Sequence, residues 1–95
     1  MEFEWNKKKN KKNIEKHNLN FEEAKEIFDR PTLDNIDKRF NYGEVREINI
    51  GSLNDGSFIT VVHTTRGKKT RIISARRSNK KERILYCMYY NVKRV

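Results

Sequence analysis

Residues 71–83 read Arg71-Ile72-Ile73-Ser74-Ala75-Arg76-Arg77-Ser78-Asn79-Lys80-Lys81-Glu82-Arg83, and this stretch decides how the chain is understood. A short apolar, β-branched run passes, without glycine or proline, into a helix start. Asn79 is followed three positions later by Glu82, the spacing of a reciprocal N-terminal cap. Six of these thirteen residues are Lys or Arg. Outward from the stretch the charge stays lopsided: residues 1–50 hold 11 Lys/Arg against 11 Asp/Glu, and residues 51–95 hold 11 against 2. The net charge of +9 therefore sits in the second half. Cations gathered on one strand and one helix repel each other unless an anion binds there, so nucleic acid is the first partner implied.

Upstream of this stretch the period of apolar residues is that of strands. Lys69–Arg76 carries the Ile72-Ile73 pair, Phe58–Thr65 is rich in β-branched residues, and Val45–Leu53 alternates imperfectly. Turn signals at Asn54-Asp55-Gly56 and Arg66-Gly67 join these three as an antiparallel meander. Further upstream Phe3-Glu4-Trp5 alternates as a short strand, with Asn6 placed to cap a helix running to Asn18, a residue that tolerates positive φ. That helix has one aliphatic residue, Ile14, so it lies across the domain through Trp5, Ile14 and His17 or offers its polar face to a ligand. Asn20 and Glu23 begin a second helix, with Phe21, Ala24, Ile27 and Phe28 on one side. Pro31 closes it, leaving a loop or weak edge strand through Asp37. In the final helix Ile84, Leu85 and Met88 are expected to form the buried stripe. The pattern predicts an α+β domain: an antiparallel sheet of three to four strands, two N-terminal helices and a C-terminal helix.

Ninety-five residues make a single domain, 1–95, with a modest core. An apolar share of 35% is low, but ten aromatic residues separate the chain from a disordered polycation. The lone Cys87 can form no internal disulfide and completes no zinc motif, which fits a reducing cytoplasm. No apolar run approaches bilayer length and the N-terminus lacks a signal peptide's apolar region, so no membrane association is expected. Catalytic Ser or Cys triads and P-loops are absent as well.

The ordered set Phe3-Glu4-Trp5, Lys9, Asn13, Lys16-His17, Phe21-Glu22-Glu23-Ala24, Gly43-Glu44, Arg46, Ile50-Gly51, Arg71 to Arg77, Glu82-Arg83 and Tyr86 resembles the BrnT family of toxins over residues 3–86. The resemblance implies a RelE-like fold and a metal-independent ribonuclease without cofactors. It also implies arrest of translation by cleavage of RNA, including message on the ribosome. A BrnA-type DNA-binding antitoxin would neutralise it in a heterotetramer. Where the family has Asp at position 6, Gly at 18 and Ala at 78, this chain has Asn, Asn and Ser, which preserve the capping and conformational roles.

Cleavage by attack of the ribose 2′-OH requires proton removal, protonation of the leaving oxygen and stabilisation of added charge on phosphorus. Positioned cations supply the last, because they favour the dianionic transition state over the monoanionic ground state. Lys9, Asn13, Lys16 and His17 share one helical face. The catalytic candidates are Lys9, Arg46 and Arg76, and the RNA-binding candidates are Lys16, His17, Arg71, Arg77, Lys80, Arg83 and Tyr86. Strict alternation places Ile72, Ser74 and Arg76 on one surface and Arg71, Ile73, Ala75 and Arg77 on the other, so Arg76 and Arg77 cannot face one site.

Each candidate also has a plainer role. Lys9 and Lys16 read as solvated helix charges, His17 and His63 as packed histidines, and Glu44 as an outward carboxylate at a strand start. Arg76 can pair with Glu44 or Glu82, Glu82 can serve as a cap, and Tyr86 can belong to the core. A non-catalytic basic nucleic-acid-binding module, or a toxin relic that binds only antitoxin, fits the charge pattern equally well.

Overall fold

In the computed structural model, which describes residues 1–92, strand β1 (Glu2–Trp5) leads into α1 (Lys7–His17). The Asn6 side chain accepts hydrogen bonds from the backbone N–H groups of Lys8 and Lys9, and Asn18 ends the helix in the left-handed region at φ 53°. Asn20 caps α2 (Phe21–Ala24), a single turn that tightens into the 3₁₀ segment Lys25–Asp29 ahead of Pro31. Then follow β2 (Leu33–Ile36), β3 (Glu47–Ser52), β4 (Phe58–Arg66), β5 (Lys69–Arg77) and α3 (Lys80–Tyr89).

These strands make one five-stranded sheet in the order β1-β5-β4-β3-β2. The class is α+β, but the expected antiparallel sheet of three to four strands is corrected on both counts: there are five, and β1 pairs with β5 in parallel. Glu2–Trp5 lie opposite Lys69–Ile72, residues more than sixty positions away. Such a pairing has no hairpin to announce it in the sequence.

One face of the sheet carries the main core. Leu19, Phe21, Ala24 and Ile27 pack against Ile59, Val61, Ile72 and Ala75, with Phe3, Trp5 and Phe28 at the margin. Gly51 lets this happen: a Cβ there would come within 2.7 Å of the Ile27 Cβ. The other face is covered only at one end, where α3 sets Tyr86 and Cys87 against Ile50 and Phe58. The expected stripe of Ile84, Leu85 and Met88 is therefore corrected: Leu85 and Met88 are exposed, and the buried pair is Tyr86 and Cys87. Strand β5 enters α3 through only Ser78 and Asn79, which fixes the phase of the helix and turns its tyrosine toward the sheet.

A further correction concerns α1. Ile14 is exposed, and the helix is held by Asn13. Beyond Ile72 the edge of β5 has outrun β1, and the buried Asn13 amide takes the missing strand's place. Its Nδ2 donates to the Ala75 carbonyl at 2.8 Å, and its Oδ1 accepts the Ala75 N–H at 3.1 Å. Nδ2 also donates to the Leu19 carbonyl at 2.8 Å, tying the end of α1 to the start of α2. A helix with almost no apolar stripe is thus seated by satisfying backbone groups that burial would otherwise leave unpaired.

The last correction, in β5, decides the site. The pairing of β4 with β5 shifts between Val62 and His63, so Ile73 bulges and the alternation resets. Ile72 lies opposite His63, Arg71 opposite Thr64, and Ser74 opposite Val62. Ile72 thereby joins Ala75 in the core, and Arg71 moves onto the same face as Ser74 and Arg76. Arg77 remains on the opposite face from Arg76, as alternation required.

Replacing Asn13 with Ala is expected to cost about 3 kcal/mol in urea unfolding, because buried groups on Ala75 and Leu19 lose their partners. Ile14→Ala, at an exposed position, should cost less than about 1 kcal/mol. Equal losses in the two variants would show that apolar contact, and not the amide, holds α1.

Candidate active site

The part of the sheet that α3 leaves open forms a strip, the trough, between two charged ends. Its floor follows from the register: Ile48 lies beside Val62 and Ser74, and at the α3 end the buried Thr60 lies beside Arg76. At one end Arg76 makes a two-pronged contact with Glu82, Nη1 to Oε1 at 2.7 Å and Nη2 to Oε2 at 2.9 Å. Glu82 also accepts the Asn79 N–H at 2.9 Å, so one carboxylate both caps α3 and orients the arginine. Burial pushes the Glu82 carboxyl upward, but hydrogen bonds from Arg76 and Asn79, together with the charge of Arg76, outweigh it. The net effect is a value below the ordinary one.

At the other end stands a charged cluster. Asp37 N–H donates to the Arg46 carbonyl at 2.8 Å, which extends the β2–β3 ladder by one pair and directs Arg46 to the same face as Ile48. The Arg46 guanidinium rests 3.8 Å from the centre of the Tyr42 ring and 3.6 Å from Glu44, which also reaches Arg66 at 3.7 Å. Arg46 Nε is buried without a partner. Arg71 completes this end, paired with Glu4 at 2.5 Å. Strand spacings put the Arg46 and Arg76 Cα atoms roughly 16 Å apart, two strands across and four residues along.

Lys9 stands outside this trough. Together with Lys12, Asn13, Lys16 and His17 it lines a hollow of about 200 Å³ between α1 and β5, whose far wall is Ile73 and Ser74. Ser74 thus borders both the hollow and the trough. Arg46 and Arg76 share one face, and Lys9 approaches it around the edge of β5; the hollow that Lys9 lines includes neither arginine.

The other candidates divide. Lys16 and His17 accompany Lys9, and Arg71 belongs to the trough. Arg77 lies on the reverse face, where its Nη1 donates to the Ser57 hydroxyl at 3.1 Å. Lys80 is exposed on the first turn of α3, and Arg83 donates to the Ser78 carbonyl at 2.9 Å. Tyr86 takes the core role: it is 8% exposed, packs on Phe58 and Tyr90, and donates its hydroxyl to the Pro31 carbonyl at 2.9 Å. Burial pushes its phenol up, so the hydroxyl stays a donor and no base can stack on the ring.

Sequence reasoning passed over Arg66, Glu4 and Tyr42. Arg66 is hidden in a turn signal, Glu4 becomes visible only when Arg71 is brought beside it from β5, and Tyr42 meets Arg46 within a loop whose closure has no signature in the sequence. His63, read as structural, is buried on the opposite face with Nδ1 2.5 Å from Asn49 Oδ1. No helix among the described residues is long and apolar enough to cross a membrane.

Fold and site together define a small α+β domain that turns an arginine-lined, half-open sheet face to solvent. Residues 5–82 match the model of a family described as the ribonuclease toxin, BrnT, of type II toxin-antitoxin systems, and the chain belongs to that family. Among solved structures it is similar to the ribonuclease toxin BrnT of Brucella abortus, determined at 1.1 Å. The identity is 23%, over 84% of this chain and 99% of that one, with a TM-score of 0.63, a likeness of fold. No curated protein matches the chain.

Because the folded-state pKa of Glu82 lies below the ordinary carboxyl value of 4.5, its stabilising contribution is complete above that value and is lost as pH falls through the lowered one. Glu82→Gln should therefore lower the thermal midpoint at pH 7, and the deficit should shrink as pH drops to roughly 3 and below. A deficit independent of pH would mean that the carboxylate charge contributes nothing to the fold.

Proposed function

We propose that this protein cleaves RNA as the toxin of a type II toxin–antitoxin pair, in the manner of RelE-like mRNA interferases, and that it acts in the cytoplasm to arrest translation. The observation that carries the reading is the bulge at Ile73, which gathers Arg71, Ser74 and Arg76 on the open face that also holds Arg46. A strand of RNA laid across β5 places a phosphodiester over Ser74, with Arg76 and Lys9 on either side. Arg76 is the catalytic cation: Glu82 holds the Nη1/Nη2 edge of its guanidinium, and the adjoining Nε/Nη2 edge of the planar group suits two phosphate oxygens. Lys9 adds a point charge from the edge. Arg46, stacked on Tyr42, steadies the strand at the far end of the trough.

Lys16, His17 and Arg71 bind flanking phosphates, while Lys80 and Arg83 extend the positive surface onto α3. Arg77 lies on the reverse face and adds only to the long-range field. Cation placement acts on the charge that develops at phosphorus. The chemistry uses no cofactor. The partner that silences it is a BrnA-type DNA-binding antitoxin, assembled as a heterotetramer, that covers the trough. A non-catalytic basic module has no observation of its own in its favour.

Arg76→Lys keeps the charge but loses the fork, and is expected to reduce the rate of RNA cleavage by about 100-fold with the thermal midpoint nearly kept. Lys9→Ala should cut the rate by at least about tenfold. Both variants should relieve growth arrest on induction. Retention of full cleavage by both would refute the assignment. RNA binding should also fall steeply with salt, since each phosphate contact releases counterions.

A further inference from the structure

The ten residues 37–46, Asp37-Lys38-Arg39-Phe40-Asn41-Tyr42-Gly43-Glu44-Val45-Arg46, lie between β2 and β3 at the Arg46 end of the trough. This loop has a built interior. The Asp37 carboxylate, its side chain 1% exposed, accepts the Arg39 N–H at 3.1 Å, Arg39 Nε and Nη2 at 2.9 Å each, and the Tyr42 hydroxyl at 3.0 Å. The Arg39 hydrogen bonds, above all, hold the Asp37 carboxyl well below the usual carboxylate range, so it stays an acceptor at any pH in which the protein works. The Asp37 N–H closes the loop on the Arg46 carbonyl, and the Asn41 side chain accepts the Gly43 N–H at 3.0 Å, with Gly43 at φ 74°.

All of this bonding leaves one large apolar ring outside. Phe40 is 67% exposed, and its ring meets Tyr42 edgewise at 5.8 Å, while Arg46 lies over the Tyr42 ring. The order Phe40, Tyr42, Arg46 is a ladder from open solvent to the candidate phosphate site. An aromatic face exposed beside cations is the arrangement that binds single-stranded nucleic acid: the cations hold the backbone, and the ring takes a base that no partner strand occupies.

We propose that Phe40 is a nucleobase platform, stacking one unpaired base of the RNA whose backbone passes Arg46. This deepens the ribonuclease reading and rests on it for the identity of the RNA, because Arg46 ties the platform to the same trough. Stacking is indifferent to hydrogen-bond pattern, so the platform favours unpaired over base-paired RNA without dictating sequence. A protein partner fits the surroundings less well. Phe40 is flanked by exposed Lys38, Arg39 and Asn41, and with Val45 it offers only two exposed apolar side chains on this loop, whereas protein interfaces centre on a larger apolar core depleted in charge.

The test uses the full chain and a single-stranded RNA of about ten nucleotides carrying 2′-O-methyl riboses, which binds but offers no attacking hydroxyl. Phe40→Ala and Phe40→Leu are both expected to weaken binding about tenfold, with the thermal midpoint and the slope of affinity against salt unchanged, since no charge and no buried contact is lost. Phe40→Trp should bind at least as tightly as the parent, with added fluorescence quenching on RNA addition. Binding by Phe40→Ala within twofold of the parent, or Leu equal to Phe, overturns the platform. So does a loss confined to binding of the antitoxin. Cleavage of the unmodified RNA by the parent, measured alongside, separates the two claims. A parent that binds the methylated RNA through Phe40 but cleaves nothing leaves the platform standing and removes the nuclease. A parent that cleaves while Phe40→Ala binds unchanged removes only the platform. A parent that binds no RNA removes both.

Discussion

The amide of Asn13 is the contact on which the arrangement depends. Strand β1 covers only the first half of β5, and the backbone beyond Ile72 would face α1 with an unpaired N–H and C=O. An aliphatic residue at position 13 would add apolar contact but leave those groups unsatisfied, a larger loss than the contact returns. Because the bonding group is a short side chain aimed at one residue, the helix is fixed in rotation as well as in place. Its lysines cannot slide along the edge, and Lys9, Lys16 and His17 are held beside Ser74. A stripe of leucines would have secured the helix yet crowded apolar groups along that hollow.

The bulge at Ile73 does for the strand what Asn13 does for the helix. In a regular strand Arg71 and Arg76 point to opposite faces, and the core would have to accept one of them or lose Ile72. One extra residue lets Ile72 and Ala75 enter the core together while Arg71, Ser74 and Arg76 face outward. The neighbouring Ile-Ile pair in the sequence is the trace of that insertion: one member is buried, and the other closes the hollow under α1.

Local chemistry explains what was legible in the sequence. Asn6, Asn18, Asn20 and Asn79 mark helix ends through bonds to residues within four positions, so the helix boundaries could be read directly. The meander was legible from its turns for the same reason. What stayed hidden depends on distant partners. The parallel place of β1, the role of Asn13 and the reset of alternation all involve residues separated by up to 67 positions, as in the Glu4–Arg71 pair. The phase of α3 was misread because Leu85 and Met88 look more apolar than Tyr86. Yet Tyr86 combines a ring that packs on Phe58 with a hydroxyl that satisfies the Pro31 carbonyl, which neither of the others can do. At the site, the pairing of Arg76 with Glu82 is legible because six residues separate them, whereas the place of Arg66 and Arg71 beside the Arg46 loop requires the strands to be assembled.

That cluster and the Arg76 pair show how a basic domain can keep its cations poised without an anion bound. The structure neutralises them in part: Glu4 faces Arg71, Glu44 is shared by Arg46 and Arg66, and Glu82 holds Arg76. Glu4 and Glu82 reach their arginines from another strand or helix, whereas Glu44 shares the loop of Arg46 and spans to Arg66. The half-buried pairs at the far end join side chain to side chain, so an approaching phosphate can join or displace them. The exception is Glu82, which is also locked into the cap of α3 and so cannot swing away. Arg76 therefore keeps its orientation whether or not RNA is present, while the arginines at the far end are freer to adapt. A site rigid at one end and adjustable at the other fits a substrate whose scissile bond must be placed accurately and whose flanking chain varies.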